Sequence, residues 1–192
     1  MFAELLACPG VEQHVTLRSS IGFLALHGGL EPGTAELARS AADRSGASLY
    51  TVVQPGNLRW HVPAHCVAPT DAPSLAEFLA HVEVVVSLHG YQRPDLPMAV
   101  LVGGANRDLA ARLGRRLRLA LPDYDVVDDL TRIPADLRGV HPRNPVNLTS
   151  AGGIQLELPH PVRSIGPYRD AAYRAHTDAL VDALADFATA EP

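Results

Sequence analysis

His27 and Glu31 stand in the run Leu26-His27-Gly28-Gly29-Leu30-Glu31-Pro32-Gly33-Thr34. An imidazole and a carboxylate at the mouth of an apolar segment, with only small residues beside them, can share one metal ion. Gly28 and Gly29 permit the tight backbone that turns Glu31 back toward His27. A second histidine, His89, ends another apolar run, Val85-Val86-Ser87-Leu88-His89-Gly90. Two imidazoles and one carboxylate, with open positions left for water, form the donor pattern of catalytic zinc. Such a site also needs a base. Glu157, in Ile154-Gln155-Leu156-Glu157-Leu158, offers a carboxylate that could take a proton from water and pass it to a leaving amine. On an edge strand the same residue would only face solvent, and the local pattern leaves both readings open.

These side chains need elements to carry them. Continuous apolar runs over residues 22–26, 48–53, 83–88 and 98–102 predict strands covered on both faces. Residues 154–158 alternate, with Ile154, Leu156 and Leu158 on one face and Gln155 and Glu157 on the other. Helices are predicted over residues 34–44, 74–81, 107–119 and 167–187. Ser74-Leu75-Ala76-Glu77 has the capping-box spacing, and Asn106 is placed to cap the third helix. Strands alternating with helices argue for an α/β sandwich on a largely parallel sheet. Ligands in such folds bind beyond the carboxyl ends of the strands, which is where His27 and His89 fall. The proline-rich stretches 54–73 and 131–147 read as long loops, which in compact domains are usually functional.

The chain has 192 residues, 47% of them hydrophobic, which fits one domain spanning residues 1–192. A net charge of -5 gives no electrostatic footprint for nucleic acid. All 16 basic residues are arginine, whose planar fork suits carboxylates. Arg143, Asn147 and Arg163 flank the Glu157 strand, and the two arginines are candidates for holding a substrate carboxylate by bidentate pairing. Cys8 and Cys66 are too few for a disulfide framework and read as reduced thiols. Residues 1–8 lack the basic and long apolar regions of a signal peptide. No run approaches the ~18 apolar residues of a membrane span. The expectation is a cytoplasmic protein with no membrane partner.

The segments His27-Gly28-Gly29-Leu30-Glu31-Pro32-Gly33-Thr34-Ala35-Glu36, Ser48-Leu49-Tyr50, Val85 to Gly90, Leu101-Val102-Gly103-Gly104 and Asn147 through Gly152-Gly153-Ile154-Gln155-Leu156-Glu157-Leu158 to Arg163 follow one another in that order. Together they resemble the phage-type poly-γ-glutamate hydrolase family, a branch of the zinc carboxypeptidase-like fold. The resemblance covers roughly residues 20–165. It implies a three-layer sandwich with a mixed, largely parallel central sheet. It implies a Zn2+ ion bound by His27, Glu31 and His89, with Glu157 as the general base. It also implies cleavage of γ-glutamyl amide bonds in an acidic peptide or polymer. His61 and Asn147 join Arg143 and Arg163 as substrate-side candidates. Glu36 is the alternative carboxylate ligand, although its place in a first helical turn also suits the helix dipole. Two other functions stay open: a zinc carboxypeptidase or amidase acting on cell-wall or ordinary peptides, and a non-catalytic metal-binding domain of the same fold.

Overall fold

The computed structural model describes residues 1–190. Its elements in chain order are α1 (Phe2–Leu6), β1 (Glu12–Thr16), β2 (Ile21–Gly28), α2 (Thr34–Ser45), β3 (Ser48–Val53), α3 (Pro73–His81), β4 (Val84–Gly90), β5 (Ala99–Gly103), α4 (Arg107–Ala120), β6 (Asp125–Val127), β7 (Gly153–Leu158) and α5 (Arg174–Ala190). The seven strands form one sheet in the order β1-β3-β2-β4-β7-β5-β6. The run β3-β2-β4-β7 is parallel, as is β5-β6, while β1 and β5 pair antiparallel with β3 and β7. The sheet is therefore mixed and largely parallel, as expected.

Side-chain alternation divides the core between the two faces. On one face Ile21, Phe23, Ala25, Val84, Val86, Leu88, Ile154, Leu156 and Leu158 pack with apolar residues of α2, α4 and α5. On the other, Leu24, Leu26, Val52 and Val85 pack with Phe2 and Leu5 of α1 and with Leu75, Phe78 and Leu79 of α3. Helices thus cover both faces, giving three layers. β7 lies between β4 and β5, so Glu157 is on a central strand and the edge-strand reading is excluded.

Several local expectations are corrected. The capping box at Ser74 does not form: α3 begins at Pro73 without a side-chain cap, and Ser74 Oγ instead donates to Gln13 Oε1 at 2.8 Å. Asn106 does cap α4, its side chain accepting from Leu109 N–H at 3.0 Å. The closing helix starts at Arg174 rather than near residue 167. Gly166 takes a left-handed φ of +58° and Pro167 follows it, so this stretch forms two single 3-10 turns, the second capped by Asp170. The short strands β1 and β6 and the helix α1 were not predicted. Cys8 and Cys66 are free. Among the described residues no helix is long and apolar enough to cross a membrane.

Candidate metal centre

Strict alternation along β2 would send His27 to the α2 face with Phe23 and Ala25. It does not go there. Ala25 pairs with Thr51 but Gly28 pairs with Val53, so β2 carries one extra residue against β3. This bulge reverses the alternation and brings His27 to the face that carries His89. In the parallel register of β4 and β7, His89 lies directly beside Glu157 and Ser87 beside Gln155. Three neighbouring strands thus deliver His27, His89 and Glu157 to one face at their carboxyl ends.

Glu31 arrives through a turn. Its N–H donates to His27 O at 2.8 Å, closing the loop over the histidine. Gly29 makes this possible: φ is +78°, and a Cβ there would stand 2.1 Å from Gln54 O. Glu31 Oε1 then lies 2.9 Å from His27 Nδ1. Its Oε2 accepts from Gly90 N–H at 2.9 Å and is 3.6 Å from His89 Nδ1.

The three residues offer donor atoms within 4.8 Å of one another, and they form the only such group among the described residues. His27 Nε2 donates to Val62 O at 2.9 Å, which fixes the neutral tautomer and leaves the Nδ1 lone pair facing inward. That atom is 3.2 Å from His89 Nδ1. Donors bound to a common tetrahedral centre at about 2.0–2.1 Å lie about 3.3 Å apart, so the spacing suits one small cation. The electrostatics agree. Burial opposes ionisation of Glu31, but the two imidazoles overrule it and hold the carboxyl well below its ordinary range. Burial likewise pushes His27 down, yet the Glu31 carboxylate outweighs it and the net shift is upward. The cluster is organised around positive charge.

Glu157 is 4% exposed. Burial, reinforced by the Glu31 charge, raises its carboxyl well above the usual range. A short amide chain orients it. Gln155 Nε2 donates to Glu157 Oε1 at 2.9 Å, and Asn144 Nδ2 donates to Gln155 Oε1 at 2.8 Å. Asn144 comes from the second long loop, so that loop helps to aim the acid.

These residues line a cavity of about 620 Å3 whose walls also include His61, His65, Asp136, His141 and Asn144. Both proline-rich loops therefore contribute to it. The His61 ring lies 4.7 Å from that of His27, and His65 lies 4.8 Å from His141. Burial and the neighbouring His27 lower the pKa of His61. The contact of His65 with His141 joins the two loops, and nothing local in the sequence shows that these loops face each other. The remaining candidates lie elsewhere. Arg143 is exposed beside His141 and Asn144 but does not line the cavity. Asn147 is also outside the lining; its amide braces the loop, donating to Gly139 O and His141 O and accepting from Ala105 N–H. Arg163 is 6% exposed, and its guanidinium donates to three backbone carbonyls. The fork expected to meet a substrate carboxylate is thus engaged by backbone in this structure. Glu36 borders a separate pocket with Arg39 and Gly166 and is not part of the donor group.

Residues 5–190 match the poly-gamma-glutamate hydrolase family model. The chain is 32% identical over 139 residues to the SPbeta prophage-derived UPF0714 protein YoqZ of Bacillus subtilis (strain 168), covering 71% of this chain and 47% of that protein. It is 32% identical over 143 residues to UPF0714 protein YndL of the same organism, covering 73% and 53%. The chain thus spans about half the length of these curated relatives. Among solved structures, a bacteriophage poly-gamma-glutamate hydrolase superposes with a TM-score of 0.72 at 22% identity, over 95% of this chain and 91% of that one. A zinc-free form of YndL superposes with a TM-score of 0.73 at 27% identity, over 91% and 89%. With the family model matched along nearly its whole length, the chain belongs to the poly-gamma-glutamate hydrolase family.

Proposed function

We propose that this protein is a zinc-dependent amidohydrolase that cleaves γ-glutamyl amide bonds of poly-γ-glutamate or related acidic peptides. The observation that carries this reading is the His27–Glu31–His89 donor set facing Glu157 across one cavity, in a chain of this family. A zinc ion held by those three residues would supply Lewis-acid polarisation of the amide carbonyl and a water of lowered pKa. The solved zinc-free form of YndL supports zinc as the ion. Glu157 takes the proton from the attacking water and returns it to the leaving amine nitrogen. Gln155 holds the carboxyl in the orientation this transfer needs. His61 forms part of the wall next to the donor set and contacts the substrate there. Arg143 lies outside the lining but is exposed on the loop between His141 and Asn144, which belong to it, and it is the arginine assigned here to a substrate carboxylate.

The direct test is to incubate the zinc-loaded protein with poly-γ-glutamate and follow polymer length. Shortening that stops on chelation is expected; no shortening would remove this substrate.

One observation favours a second reading. Arginine is absent from the cavity lining among the described residues, and its acids are Glu31, Asp136 and Glu157. A less acidic substrate, such as an ordinary or cell-wall peptide cut by the same chemistry, would meet less repulsion there. A panel of free and C-terminally blocked peptides beside poly-γ-glutamate separates the two readings, and indifference to every peptide would sink the second.

A further inference from the structure

Arg163 is buried behind the donor set, and its hydrogen bonds follow a pattern. Its Nε donates to Leu158 O at 3.0 Å, one Nη to Pro32 O at 2.5 Å, and the other Nη to Tyr91 O at 3.3 Å. Pro32 follows Glu31, Leu158 follows Glu157, and Tyr91 is two residues past His89. One planar group therefore grips the three chain segments that leave the site. The surroundings are shaped to admit it. A Cβ at Gly90 would lie 2.6 Å from Arg163 Cζ, and a Cβ at Gly33 would lie 2.0 Å from Arg163 O. Gly90 also donates its N–H to Glu31 Oε2, so the guanidinium packs against the same peptide that orients the ligand carboxylate.

We propose that Arg163 is a positioning residue that sets the zinc affinity of the His27–Glu31–His89 site by tying together the segments that carry Glu31, His89 and Glu157. The proposal rests on the zinc reading given above and extends it. A lysine could not replace this fork, because a point-like ammonium on a single stem cannot span three carbonyls in a plane. Leu158 O also accepts from Tyr91 N–H at 3.2 Å, and β4 and β7 are paired through Gly90 and Leu158, so the fork's own contribution is to join the Glu31 segment, through Pro32 O, to the other two. Buried carbonyls need partners, and losing the fork takes this bond from Pro32 O and Tyr91 O.

The test is a zinc titration, by competition with a chromophoric chelator, of the wild type, R163M and R163K. Circular dichroism and melting of the zinc-free proteins accompany it. A wild type that takes up no zinc would overturn the metal reading and this proposal with it; the two separate once the wild type binds. R163M is then expected to bind zinc about 10–100-fold more weakly, the usual cost of losing an outer-shell partner. Its kcat falls while KM stays near that of the wild type, and R163K recovers only part of the zinc affinity. Wild-type zinc affinity in R163M overturns the proposal. So does a raised KM with unchanged zinc affinity, which would put the guanidinium on the substrate. If zinc-free R163M does not fold, R163K decides by the same titration, and wild-type affinity there overturns the proposal.

Discussion

Gln155 and Glu157 project from the same face of β7, and the amide of the first donates to the carboxyl of the second at 2.9 Å. Asn144 in turn holds the far side of that amide. A leucine at position 155 keeps the volume and removes both bonds. Q155L is expected to lower kcat about 10–100-fold, the usual range for a lost outer-shell partner. KM should change little, because Gln155 acts through Glu157. Steady-state kinetics on a γ-glutamyl oligomer check this; an unchanged kcat would detach the amide chain from the chemistry.

Replacing the base itself separates chemistry from metal binding. E157Q is expected to retain zinc and to lose about a hundred- to ten-thousand-fold in rate. Metal content and turnover measured on one preparation give the answer. Near-normal turnover would take the proton-transfer role away from Glu157.

The choice of carboxylate ligand can be read from metal content alone. Glu31 lies 2.9 Å from His27 Nδ1, whereas Glu36 borders another pocket. E31Q and H89A should come off a desalting column without zinc, and E36Q should keep about one ion per chain. Zinc retained by E31Q and lost by E36Q would reverse the assignment.

Burial of Glu157 also leaves a mark on stability. Its carboxyl is raised well above 4.5, first by burial and then by the Glu31 charge, so the folded state favours the protonated form. The resulting stabilisation of the zinc-free protein is complete below the unfolded pKa near 4.5 and is lost as pH rises through the folded value. Glutamine has no proton to lose. The melting temperature of chelated wild type is therefore expected to fall relative to chelated E157Q as pH increases from 5 to 8. Differential scanning calorimetry measures the gap; parallel pH profiles would contradict it. Glu31 and His27 also titrate, but they are common to both proteins.

The sequence showed those parts of the site that are local in the chain. His27, the glycine pair and Glu31 lie within one turn, and their residue types alone suggest shared coordination. His89 and Glu157 are legible because apolar runs mark their strands and polar residues interrupt them. The bulge in β2 is not legible, since it depends on how β2 pairs with β3, and without it His27 would face α2. Arg163 could not be placed either. Its partners Pro32 and Tyr91 are 131 and 72 residues away, and an arginine gripping carbonyls looks in sequence like one awaiting a substrate. Asn144 and Asn147 are indistinguishable in sequence, yet one lines the cavity and the other braces the loop. The pairing of His65 with His141 depends on two loops meeting, which no periodicity reports.

The account depends most on where the metal sits. A crystal structure of the zinc-soaked protein, with anomalous data collected across the zinc edge, locates it directly. One peak is predicted, bonded to Nδ1 of His27, a carboxylate oxygen of Glu31 and Nδ1 of His89, with Glu157 facing it unbound. A fully occupied peak elsewhere, or none at this cluster in saturating zinc, would contradict it.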